Sequence, residues 1–164
     1  METPHLLNLG NVRKVKKELS GILDEAALER IEREIQSNVT ALLALAQRHY
    51  RFAVRQSRPN WRQRVSRLYY AAYNASRAVR LLVTGDYSSN VKDHQKFNKL
   101  PNDFPSRDRY VNKLAVLRED RNTCDYDHNS KVRDLVLGTR DSTELVHEFL
   151  RDANAYISNK IANP

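Results

Sequence analysis

The sequence predicts an all-α fold, and three observations predict it. Glycine and proline are scarce, at 4 and 5 of 164 residues; apolar residues recur at steps of three and four; and no stretch alternates apolar with polar as a half-buried strand does. Domains commonly run to about 100 to 150 residues or somewhat more, so the length suits a single domain over 1–164. Residues 1–22, with Arg13, Lys14, Lys16 and Lys17, are expected to form a basic and loosely attached N-terminal segment.

Each helix has its own signal. Asp24 is placed as an N-cap, with Leu23 before it and Leu28 four after it as a hydrophobic staple. The helix that follows carries Ile31, Ile35, Val39, Leu42, Ala46 and Ala53 on one stripe, until Arg58-Pro59 stops or restarts the chain. Trp61, Val65, Leu68, Ala72, Ala75, Val79 and Leu82 then alternate steps of four and three, the spacing of a bundle or dimer seam. Gly85 opens a polar stretch to about Pro105, in which residues 90–100 are expected to form a short helix. Ser106 is placed to cap the next helix, whose stripe is Tyr110, Leu114, Leu117 and Arg121. The polar residues from Asp125 to Ser130 break it, and Asn129 or Ser130 is placed to cap a short helix ended by Gly138. A last helix is expected from Asp141, paired with Glu144 as in a capping box, through Leu145, Phe149, Ala153 and Tyr156. The total is a compact bundle of four to five principal helices.

Charge narrows the partners. Lys and Arg number 28 against 20 Asp and Glu, a net charge of +8, which favours polyanions as neighbours without naming one. The single cysteine, Cys124, cannot form an internal disulfide, and the N-terminal residues lack the basic and apolar regions of a secretory signal, so a reducing cytoplasm is expected. The purest apolar run, Ala41 to Ala46, is too short to cross a bilayer, and no membrane role is expected.

Metal and cofactor motifs do not fit. Asp125, Asp127 and Asn129 occupy the first, third and fifth positions of a calcium loop, but Ser130 stands where a glycine is needed and Val136 where a bidentate glutamate belongs. One cysteine and scattered histidines give no zinc spacing. No cofactor and no metal are expected.

Arg121 is the informative residue, because a guanidinium on an apolar stripe needs either a buried carboxylate or a role as an anion receptor. Seven residues later, His128 stands in a polar turn before the next predicted helix, where backbone N–H groups favour anions. An imidazole titrating near neutrality and an arginine that holds phosphate oxygens can together cleave RNA through the substrate's own 2′-OH. Lys92, Lys96 and Lys99 add a candidate RNA-binding cluster. A solvated acidic turn and a structural ion pair remain the competing account of the same residues.

The stretch from Ser66-Arg67-Leu68-Tyr69-Tyr70 to Ala78, then His94, then Arg121-Asn122 through Asp125-Tyr126, resembles the HEPN superfamily over roughly residues 38–161. That resemblance implies a compact antiparallel bundle that commonly dimerises. It also implies a metal-independent endoribonuclease of toxin–antitoxin or other defence systems. The family motif is an arginine, a polar residue and a histidine after four to six positions, which Arg121, Asn122 and His128 match, with two copies meeting across the dimer. Arg121 is then expected to bind the scissile phosphate, His128 to act as acid or base, and Asn122 to position either. Some relatives pair with a minimal nucleotidyltransferase that modifies a tyrosine near the motif, which singles out Tyr126. The implied partners are RNA, a second copy, and a cognate antitoxin or nucleotidyltransferase. The alternative is a non-catalytic HEPN module that binds a nucleotide or a partner protein, and a third class is a basic DNA-binding or scaffold protein.

Overall fold

A computed structural model describes residues 9–87, 94 and 96–163. Five α-helices appear among them: α1 (Val12–Glu18), α2 (Glu25–Val54), α3 (Trp61–Thr84), α4 (Arg107–Tyr126) and α5 (Gly138–Ala162). Single 3-10 turns at Arg58–Asn60 and Val132–Asp134 sit in two of the connections. The fold is all-α, and no described helix is long and apolar enough to cross a membrane.

Helix α3 is the axis of the bundle. It packs on α2, α4 and α5, and its residues from Leu68 to Leu82 are buried apart from Tyr70 and Arg77, which are partly exposed. Ala71, Ala72, Ala75, Ser76 and Ala78 keep its surface small, which lets neighbouring backbones approach on several sides at once. The stripe from Val65 to Leu82 is therefore consumed inside one chain. It is a core and not a seam left open for a second copy, which corrects that half of the sequence expectation.

Short connections and side-chain pairs fix the directions. Arg67 reaches His49 and Phe52 near the end of α2, while Leu82 and Val83 share a cavity wall with Glu32 and Gln36 near its start, so α2 and α3 run antiparallel. Ser66 meets Asp125 and Tyr70 meets Arg121, so α3 and α4 also run antiparallel. Tyr110 donates to Asp152 at 2.6 Å, tying α4 to α5 in the same sense.

The helix ends show which local signals governed. Asp24 caps α2 as expected, accepting from Ala27 N at 2.8 Å. Pro59 lies in the turn that leads into α3, so Arg58-Pro59 restarts the chain. Ser106 precedes α4 but sits at φ 51° and its hydroxyl caps nothing. Neither Asn129 nor Ser130 caps a helix ended by Gly138; instead Gly138, at φ 70°, opens α5 three residues before the expected Asp141. The reason is a long-range cap. Buried Asp120 of α4 accepts from Val136 N at 2.8 Å and Leu137 N at 2.9 Å, orienting the chain just ahead of α5 without a local capping side chain.

Part of the basic N-terminal segment is docked. Val12 is buried, its N–H donates to Gly85 O at 3.0 Å, and Arg13 and Lys16 both pair with Glu32 of α2, at 3.0 and 2.7 Å. Gly85 is required twice over: it ends α3 at φ 71°, and a Cβ there would lie 2.4 Å from Arg13 N. Much of the helix expected over 90–100, including Lys92, lies outside the described residues.

Candidate functional site

Arg121 lies five residues before the end of α4 and faces α3, as the stripe Tyr110, Leu114, Leu117 requires. Its side chain is 15% exposed, and Nε lies 2.8 Å from Asp125 Oδ2, one helical turn on. That contact is an ion pair and not a hydrogen bond, because the Nε–H does not point at the carboxylate. The other nitrogens are aimed better. Nη2 donates to Tyr70 Oη at 3.0 Å, and Nη1 donates to Asn122 Oδ1 at 3.2 Å and Tyr126 Oη at 3.3 Å. The guanidinium carbon also lies between 5.3 and 5.6 Å from the ring centres of Tyr69, Tyr70 and Tyr126. Burial works against this charge, but the two tyrosine hydroxyls and Asp125 outweigh it and hold Arg121 protonated above its ordinary value.

The pair extends in two directions. Asp125 Oδ1 accepts from the hydroxyl of Ser66, so Ser66 and Tyr70, one turn apart on α3, meet Asp125 and Arg121, one turn apart on α4. On the inner side, Tyr69 Oη lies 2.7 Å from His94 Nδ1, and the His94 ring stacks on Tyr73 at 4.4 Å. On the outer side, Tyr70 packs against His49 at 5.7 Å, and Arg67 Nη1 lies 3.3 Å from His49 Nδ1. Arginine has no acceptor, so His49 Nδ1 must offer its lone pair. Burial, then Arg67 and Arg48, pushes the His49 pKa below its ordinary value.

These residues border an open groove of about 640 Å³ lined by Phe52, Arg62, Ser66, Arg67, Tyr70 and Asp125 among others. Cys124 also lines it, but burial and then Asp125 push its thiol up to about 12, so it is no nucleophile near neutrality. Arg62 is committed to the backbone at one end of the groove. Its Nη1 donates to Cys124 O at 2.7 Å and its Nη2 to Ser130 O at 2.8 Å, so it closes the C-terminus of α4 and pins the following turn.

His128 stands on that pinned turn. Its residue is exposed, its carbonyl lies 3.4 Å from Arg62 Nη2, and among the described residues its imidazole touches neither Arg121 nor any other partner. The helix expected to follow it is the single 3-10 turn Val132–Asp134, too short to offer an anion site. Asn122 is partly buried and bridges Arg121 to Glu119, whose Oε2 accepts at 3.4 Å. Tyr126 is 74% exposed beside Arg121. Lys96 Nζ lies 3.0 and 3.1 Å from the two Asp86 oxygens, away from the Arg121 cluster; Lys99 is exposed; Lys92 lies outside the described residues. Among the described residues no group of three or more His, Cys, Asp or Glu side chains could hold a metal ion.

The sequence reading did not single out Ser66, Tyr70, His49 or His94 as functional residues. A signal was present in the spacing: Ser66 and Tyr70 are four apart, as are Arg121 and Asp125, which is what two facing helical turns require. Comparison with protein-family models, curated proteins and solved structures gives no match, so the resemblance rests on the sequence motifs alone.

Proposed function

We propose that the chain is a HEPN-type endoribonuclease that cleaves RNA without a metal, at a site completed by a second copy. The observation that carries the reading is convergence. The three segments that bear the resemblance are far apart in sequence, yet Ser66–Tyr70 and Arg121–Tyr126 meet around one guanidinium beside an open groove, and His94 joins them through the Tyr69 ring that the guanidinium faces. In the reaction the ribose 2′-oxygen attacks its own phosphorus, a base takes its proton, and the P–O5′ bond breaks as an acid protonates the leaving 5′-oxygen. Arg121 stabilises the charge on the phosphoryl oxygens, Asn122 steadies it, and His128 is the acid or base. Within one chain the His128 imidazole makes no contact with Arg121, so the reading requires a partner subunit. Tyr126, Val132 and Val136, exposed on the chain either side of His128, offer an apolar contact for it.

The test is cleavage of RNA in EDTA that leaves a 2′,3′-cyclic or 3′-phosphate end, with 2′-O-methyl RNA resistant. His128→Ala, on an exposed turn, should lower the rate by about a hundredfold or more while leaving helicity intact. Full activity of His128→Ala, or cleavage only with added magnesium, would overturn the mechanism.

One observation favours a second reading. Arg121 is already engaged by Asp125, Tyr70 and Tyr126, which suits a structural pin in a non-catalytic HEPN module that binds a nucleotide or a partner such as an antitoxin or nucleotidyltransferase. RNA binding without cleavage by a verified dimer would select it. Toxin and defence roles follow only from the resemblance and stand or fall with this experiment.

A further inference from the structure

No Asp or Glu occurs from Ile35 to Gly85, whereas seven arginines fall between Gln47 and Arg67, so the tip of the α2–α3 hairpin holds nearly all of the net charge of +8. Arg48, Arg51, Arg55, Arg58 and Arg67 are exposed there, and among the described residues none of the five pairs with a carboxylate. Stability does not explain them. Clustered like charges repel, and a hairpin tip made only for folding would be expected to intersperse acids.

The arginines surround an aromatic. Phe52 is 47% exposed, and helical spacing puts Arg48 one turn before it, Arg55 one turn after it and Arg51 at its side. The Arg67 guanidinium lies 5.2 Å from its ring, and Phe52 lines the groove that leads past Ser66 and Tyr70 to Asp125. Flat cations flanking an exposed ring at the mouth of a groove are what a single nucleic-acid strand needs: guanidiniums for phosphates and a face on which a base can stack. A duplex hides its base faces. A membrane surface needs a broad apolar face, and here only Phe52 and Val54 are exposed large apolar residues of the hairpin.

We propose that single-stranded RNA docks on this tip, its phosphates held by Arg48, Arg51, Arg55, Arg58 and Arg67 and one base stacked on Phe52, and enters the groove toward Tyr70. The inference rests on the RNA reading above and assigns its substrate path to α2 and α3, away from Lys96, which pairs with Asp86 at the far end of α3.

The experiment is fluorescence anisotropy of a labelled 2′-O-methyl oligouridine, which cannot be cleaved, titrated with the full chain across a series of salt concentrations. The triple variant Arg48→Gln, Arg51→Gln, Arg55→Gln should flatten the slope of log affinity against log salt by about two, at about 0.7 per contact. Phe52→Ala should weaken binding by about 5- to 150-fold with the slope unchanged. Lys96→Gln with Lys99→Gln should change neither. An unchanged slope in the triple variant, equal affinity for duplex RNA, or binding to phosphatidylserine vesicles without binding to the oligomer would overturn the proposal. Its failure is separable from that of the nuclease reading. Tight, Phe52-dependent binding by a chain that cuts nothing keeps the docking face and removes the enzyme; cleavage unaffected by the triple variant does the reverse.

Discussion

Arg121 Nη2 donates to the Tyr70 hydroxyl at 3.0 Å, and this bond joins the last turns of α4 to the middle of the central helix. Asp125 anchors the same guanidinium from its own helix and in turn accepts from Ser66 on the facing one, so four side chains on two facing turns form a continuous polar chain. The guanidinium is thereby stretched between two tasks. It holds the helices together, and it presents its remaining edge beside exposed Tyr126.

Tyr70→Phe and Asp125→Ala separate those tasks. Tyr70→Phe keeps the ring but removes one acceptor, and should cost about 0.5 to 2 kcal/mol in urea unfolding. Asp125→Ala removes the counter-charge of a mostly buried guanidinium and should cost more, about 1 to 3 kcal/mol. Equal, negligible effects would mean that Arg121 is held by its packing on the tyrosine rings and not by its polar partners.

Leu68 is fully buried in α3, and Leu68→Ala should destabilise the chain by about 2 to 5 kcal/mol through the cavity it leaves. Because this stripe is an intramolecular core, the loss should be independent of protein concentration. A midpoint that moves with concentration for Leu68→Ala but not for the parent would return the stripe to the subunit interface. Light scattering of the parent, set against a chain mass of 19.1 kDa, reports the oligomer separately.

What could be read beforehand, and what could not, divides along the range of the interactions. The Asp24 cap, the burial of Ile35, Val39 and Leu42, and the α3 stripe follow from residues within a turn or two of one another, and periodicity reports such neighbours directly. The sequence points to Asp141 for the start of α5, three residues late, because the orienting group, Asp120, lies sixteen residues before Val136 on another helix and no local pattern announces it. The site divides in the same way. Arg121 was conspicuous as a charge on an apolar stripe, and Asp125 as a candidate partner one turn on. Tyr70 and Ser66 are partners of that pair only because α3 lies against α4, a contact that no local pattern in the sequence reports. The acid-free run from Ile35 to Gly85 was fully visible in the sequence, but net charge alone does not show that its arginines gather at one hairpin tip.

Arg62 spans the end of α4 and the turn that carries His128, reaching the carbonyls of Cys124 and Ser130. Arg62→Ala should leave those carbonyls to water, cost about 1.5 to 3 kcal/mol, and raise amide exchange over residues 127–131. If His128 acts in catalysis, the rate should fall with the turn's order even though Arg62→Ala leaves His128 itself in place. Unchanged exchange over the turn would show that the Ser130 hydroxyl, which donates to Asp127 O at 2.9 Å, suffices to hold it.

His49 gives the pH dependence. Its Nδ1 must accept from Arg67, while burial and the nearby cations of Arg67 and Arg48 disfavour a second proton, so its folded-state pKa lies below the ordinary histidine value of 6.5. The unfolded chain therefore binds a proton at this site more readily than the native one. Stability that His49 contributes is fully present above pH 6.5 and is lost as pH falls through the lower native value. Protonation also removes the acceptor from Arg67 and frees that guanidinium. Two measurements check this. An NMR titration should place the His49 imidazole midpoint below 6.5. His49→Gln, which keeps an acceptor but cannot titrate, should flatten the fall in stability below pH 6.5 relative to the parent. A midpoint at or above the ordinary value would mean that His49 points its protonated nitrogen at solvent and that Arg67 is held by Phe52 alone.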